Sequence, residues 1–169
     1  MENIVYEAGY LITYALCELD TQKEVNPIYF HIDLEYNRKT KEIRGNSLSD
    51  TIPKAIKKLQ KNAKKTICNM IIFPAELENQ SNKRETALVS MIFDNINEKS
   101  LTIIVPYSLN GHIITREYEV IDSDNIHRDE FLYLESIFNK GLLNFEQGRY
   151  IWNRSFSSNK SNYNSNKPI

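Results

Sequence analysis

The sequence predicts an α+β fold: a single domain on one antiparallel sheet, an N-terminal hairpin plus a four-strand meander, flanked by three helices. Three observations lead there. Four runs rich in β-branched residues lie between Thr66 and Asp122, separated by short polar turns. Apolar residues recur at helical spacing before, within and after the sheet-forming segments. A clean alternation from Ile28 to Tyr36 adds a strand ahead of the second helix.

The length of 169 residues fits one domain, expected over 1–154, with a Ser-, Asn- and Lys-rich disordered tail over 155–169. A chain of this size buries about 70% of the surface its unfolded form exposes, so a core needs no covalent staples. Cys17 and Cys68 make no disulfide framework and read as buried, reduced thiols, which with the lack of a basic leader segment suggests a cytoplasmic protein. No apolar run is long enough to span a bilayer, so no membrane association is expected.

Residues Asn3 to Asp20 read as the first helix. Ile4, Ala8, Leu11, Ile12, Ala15, Leu16 and Leu19 form its apolar face, and Tyr6, Tyr10 and Tyr14 flank it. That tyrosine stripe reads as the border of a core, with an interface stripe as the alternative. In the following strand Ile28, Phe30, Ile32, Leu34 and Tyr36 are expected to face a core, and Tyr29, His31, Asp33 and Glu35 to face out. Lys41 to Arg44 can return as a second strand. His31, Asp33 and Glu35 carry ligand-type side chains, but alternate residues on one strand stand about 7 Å apart, which suits a solvated face better than a metal.

The second helix is expected over Ser49 to Lys64, capped by Ser49 or Ser47, with Asp50 at its positive end and Pro53 in its first turn. Ile52, Ala55, Ile56, Leu59 and Ala63 make a narrow apolar stripe. Lys54, Lys57, Lys58, Lys61, Lys64 and Lys65 occupy the other side. The four meander strands follow at Thr66–Phe73, Thr86–Phe93, Leu101–Tyr107 and His112–Ile121, with turns at Asn79–Lys83, Asn95–Lys99 and Asn110-Gly111. Asn-Gly accepts positive φ and suits a type I′ hairpin. Several strands are apolar on both faces and so need cover on both. The last strand carries Thr115, Glu117 and Glu119 on one side and reads as an edge. Asp124 is expected to cap a third helix that stops at Gly141, and Leu142 to Trp152 to lie on the core as a helical turn or two and an extended segment.

Charge is segregated along the chain. Residues 1–37 carry a net −6, residues 38–65 a net +8 and residues 66–169 a net −3, inside a total of −1. The six lysines of the helix, with Arg38 and Arg44, are the candidate partner-binding residues. The plain alternative is a solubility face. The three histidines are isolated, the five glycines are scattered, and no catalytic, cofactor-binding or metal-binding motif is present. No cofactor is expected, and no enzyme class is indicated.

The element order resembles that of small profilin-type and roadblock-type domains, helix-flanked antiparallel sheets that often serve as scaffolds. The resemblance is one of order, without a shared motif. The function expected is a non-enzymatic protein-interaction or regulatory module. Its partner would be a protein, acidic where the lysines meet it, or a second copy of the chain in a homodimer. Nucleic-acid binding through residues 54–65 is the alternative, disfavoured by the absence of interleaved aromatics. A spatially assembled enzyme site is a further alternative.

Overall fold

The computed structural model describes residues 1–22, 24–78, 84–109 and 111–154. The expected turn at Asn79–Lys83, Asn110 of the Asn-Gly pair and the expected tail lie outside them. The chain is α+β, with α1 (Glu2–Gln22), β1 (Ile28–Asp33), β2 (Arg38–Glu42), α2 (Leu48–Asn62), β3 (Thr66–Glu78), β4 (Arg84–Asp94), β5 (Lys99–Leu109), β6 (Ile113–Thr115), β7 (Glu119–Asp124) and α3 (Arg128–Asn144). A further helical stretch covers 149–154. The seven strands form one sheet in the order β2-β1-β3-β4-β5-β6, with β7 also pairing β5. All pairings are antiparallel.

One face of the sheet is covered by α1, α3 and the C-terminal helical stretch, which meet Phe30, Met70, Ile72, Leu88, Ile92, Ile103 and Val105. The predicted apolar face of α1 is buried throughout. Tyr10 and Tyr14 pack edge-on against Phe145 and border the core, as the tyrosine stripe suggested. Among the described residues the other face is covered by α2 alone. Thr51, Ala55 and Leu59 of α2 are buried, over a cluster of Tyr29, Ile71, Phe73, Val89 and Ile104. Met91, Phe93 and Leu77 at the margins stay half-buried.

Four departures from the sequence reading have local causes. First, β1 stops at Asp33. The Asp33 carboxylate accepts the backbone N–H groups of Glu35 and Asn37, a turn that ends the strand. Leu34 and Tyr36, expected in the core, are 62% and 78% exposed, and Tyr36 takes φ 65°. Tyr29, expected outside, is fully buried under α2. Second, α2 begins earlier than expected. Ser47 caps it, accepting the Asp50 N–H at 3.3 Å, which leaves Pro53 inside the helix rather than in its first turn.

Third, the expected strand over His112–Ile121 is broken into β6 and β7. A continuous strand would carry Ile113, Thr115, Glu117 and Glu119 on one face, driving two carboxylates into the core behind Ile113. A slip at 116–118 avoids this. The Arg116 N–H still donates to Pro106 C=O at 3.0 Å. The chain then turns Tyr118 inward against Phe138, ring centres 4.9 Å apart, and Val120 follows it while Glu117 and Glu119 stay outside.

Fourth, α3 starts at Arg128 rather than behind Asp124, which belongs to β7, and Gly141 lies inside α3 rather than ending it. Gly141 faces Gly9 of α1. A methyl group at Gly141 would run into the Tyr6 carbonyl oxygen, and one at Gly9 into that of Phe138. The two helices approach backbone to backbone, which only glycine permits.

Two substitutions test these points. Gly111 has φ 79° with no atom near enough to hinder a side chain, so strain at Gly111→Val is conformational alone. It should cost roughly 1–3 kcal/mol in urea unfolding; a neutral result would refute the turn geometry. Gly141→Ala should destabilise by roughly 1–3 kcal/mol by prying α1 from α3, although alanine gains about 1 kcal/mol of helix propensity over glycine. A rise in Tm would show that the helices do not touch there.

Candidate functional site

Because α2 docks through a narrow stripe, most of its circumference is free. Lys54, Lys57, Lys61, Lys64 and Lys65 are exposed. Lys58 is half-buried, its ammonium 4.7 Å from the centre of the Tyr29 ring. Four of the six predicted lysines thus share the free side of α2; the helix ends at Asn62, short of the expected Lys64, and Lys64 and Lys65 follow in a 3-10 turn over residues 63–65. Arg38 and Arg44 do not join this surface. Arg38 pairs with Ile32 on the α1 side of the sheet and reaches Glu7 at 2.7 Å. Arg44 follows β2 and meets Glu42 at 3.3 Å. In their place stand Lys39 and Lys41. Their registers opposite His31 and Tyr29 put them on the α2 side. Neither was singled out from sequence, though alternation along β2 carried the signal.

The electrostatics show how closely these cations sit. Burial pushes the Lys58 ammonium below its ordinary value, and Lys41 lowers it further. Burial likewise lowers His31; Lys39 and Lys58 add to this, and Asp33 opposes them. The His31 ring lies against Tyr29, centres 5.2 Å apart, and its buried Nδ1 has no hydrogen-bond partner among the described residues. Lys39 is neutralised by Asp33 at 2.8 Å, a contact that holds the aspartate far below the usual carboxylate range. Lys41, Lys58 and the outer lysines form a positive surface suited to carboxylates or phosphates.

Sequence reasoning missed a second cluster, at the C-terminal end of α1. Asp20 accepts the Ile113 N–H at 2.6 Å and the Tyr150 hydroxyl at 3.0 Å, with Arg154 and His112 at 3.6 and 3.8 Å. Nearby Thr13 donates to the Leu142 carbonyl at 2.9 Å and accepts the Trp152 indole N–H at 3.0 Å. Cys17 belongs to this neighbourhood, but burial raises its thiol, with Asp20 and Glu18 adding to the shift against a hydrogen bond from Tyr150. Burial pushes Cys68 up to about 11. Both thiols are held protonated at neutral pH, the opposite of an activated nucleophile. The cluster is a tie between α1, β6 and the C-terminal stretch. Among the described residues no group of three metal-ligating side chains converges. Of the period-two trio, Glu35 lies beyond the end of β1, and the carboxylate of Asp33 serves its turn and Lys39.

A third feature is an open groove of about 750 Å³ between α1 and β2, lined by Tyr10, Tyr14, Phe145, Thr40, Glu42 and Arg44. Of its two cations, Lys41 and Arg44, the second is paired with Glu42. Among the described residues, no helix is long and apolar enough to cross a membrane.

Burial pushes the Asp20 carboxyl up, but the Ile113 N–H, Tyr150, Arg154 and His112 outweigh it and hold it below its ordinary 3.8. Its stabilisation is therefore complete above pH 3.8 and is lost as the pH falls through the lowered value. Asp20→Asn should cost roughly 1–3 kcal/mol at pH 7 and lose less stability than the wild type between pH 7 and acid. Equal acid sensitivity in both proteins would refute the tie.

Comparison with protein-family models, with curated proteins and with solved structures gave no match.

Proposed function

We propose that the chain is a non-enzymatic protein-interaction module that docks an acidic protein surface against the lysine side of α2 and Lys41 of β2. The observation that carries this reading is the crowding of like charge: Lys58 is depressed partly by Lys41, three further lysines stand exposed along the same helix, and Lys64 and Lys65 stand exposed in the turn that follows it. Such a field favours a partner with carboxylates and speeds its association. The two cysteines are free, which fits a reducing compartment such as the cytoplasm. Against nucleic acid stand the lack of a stacking ring and of an arginine fork on the helix, and the fact that Tyr29 is buried beneath Lys58.

Lys57→Glu with Lys61→Glu tests this, since both side chains point away from the core. The fold should survive within about 1 kcal/mol. The wild-type chain should retain a protein partner from its native cell after nuclease treatment, and the double variant should lose it. Capture abolished by nuclease, with log affinity falling against log salt at a slope near −3.6 for about four phosphates, would replace this reading with nucleic-acid binding.

A further inference from the structure

Among the described residues the sheet has two open edges, and they differ in charge. At one end lies β2, with four of its five residues exposed; Glu7 pairs with Arg38, Asp33 with Lys39 and Arg44 with Glu42, which leaves Lys41 as the strand's uncompensated charge. Asp33 N–H donates to Asn37 C=O at 3.1 Å and Ile43 N–H to Pro27 C=O at 2.8 Å. These two bonds fix the alternation of the hairpin ladder, so the N–H and C=O groups of Arg38, Thr40 and Glu42 point away from β1. At the other end β6 is closed: Asp20 takes the Ile113 N–H and the Arg154 guanidinium donates to the Ile113 C=O at 2.7 Å. Beside it β7 is open. It carries Glu119, Asp122 and Asp124 with no basic residue, and five of its six residues are exposed.

Charged side chains on an edge strand normally keep sheets apart, and each edge here repels its own like. The pair is different. Lys41 of β2 and the carboxylates of β7 attract, and both strands are about 17–20 Å long. We propose that β2 of one copy pairs with β7 of a second copy, continuing the sheet head to tail. β7 on β7 would set carboxylate against carboxylate and β2 on β2 offers Lys41 no opposite charge, so the contact favoured is heterologous, and each copy added exposes a fresh edge of each kind. The register slip beside Ile121 bends β7 and shortens the ladder, which keeps the contact weak. The contact does not depend on the lysine helix finding an acidic partner.

The test is sedimentation of the full chain between about 10 μM and 1 mM at low salt, the range a small interface supports. The wild type should assemble beyond a dimer. Lys41→Glu and Asp122→Lys should each weaken association about tenfold, and mixing the two variants should restore it, because the charges are then exchanged across the contact. Thr40→Pro should abolish association with Tm nearly unchanged, since the Thr40 N–H faces away from β1. Lys57→Glu with Lys61→Glu should leave assembly intact, which separates this contact from the partner surface on α2. A wild type monomeric throughout would overturn the proposal. So would association undiminished in Asp122→Lys or surviving Thr40→Pro, failure of the mixed variants to associate, or loss of assembly on reversing the α2 lysines.

Discussion

A sheet that is apolar on both faces has to be covered twice. That constraint organises this chain. Ile72, Leu88, Ile92 and Ile103 on one face and Tyr29, Ile71, Val89 and Ile104 on the other are all buried, and water must be kept from both sets. The first face receives a complete layer. α1 and α3 lie close enough to act as one slab because Gly9 and Gly141 let their backbones touch. Thr13 and Trp152 then lock the last helical stretch onto the same slab. Among the described residues the second face receives a single helix, and everything distinctive about the surface follows. A lone helix on a wide sheet buries only its narrow stripe, so α2 has most of its circumference left for lysines.

The same asymmetry explains why positive charge accumulates where it does. The acidic segment that precedes β1 supplies Glu7, which reaches across to neutralise Arg38 on the slab side. On the α2 side Asp33 answers Lys39. Lys41 approaches Lys58, and each burial-driven shift there runs in the direction expected when cations crowd a half-buried ring. The negative remainder of the chain contributes β7, at the opposite limit of the sheet. Charge that alternates in blocks along the sequence becomes charge at opposite ends of the fold because β2 lies at one edge of the sheet and β7, beside β6, at the other.

What could be read from sequence was what periodicity encodes. The buried face of α1, the stripe and lysines of α2, the β-rich meander and the positive φ of Gly111 each depend on residues a few positions apart. What could not be read depends on distant partners. Gly141 looks like a helix stop until Gly9 is placed against it. Asp124 looks like a cap until the slip at Tyr118 extends the sheet to include it. Arg38 and Arg44 fall within the basic block but on the wrong side of the strand, while Lys39 and Lys41 join the helix lysines only through the register with His31 and Tyr29. The Asp20 tie draws on residues from three separate parts of the chain and leaves no local trace.

His31 reports on the central claim, that cations from α2 and β2 converge on one surface. It sits beneath Lys58 and beside Lys39, and burial together with those charges lowers its imidazole from the ordinary 6.5. Salt screens the lysines but not the burial. An NMR titration of the His31 ring at low and high salt is therefore the most direct measurement. The account predicts a midpoint below 6.5 that rises with salt yet stays below that value. A midpoint at or above 6.5, indifferent to salt, would mean that the lysines do not gather there.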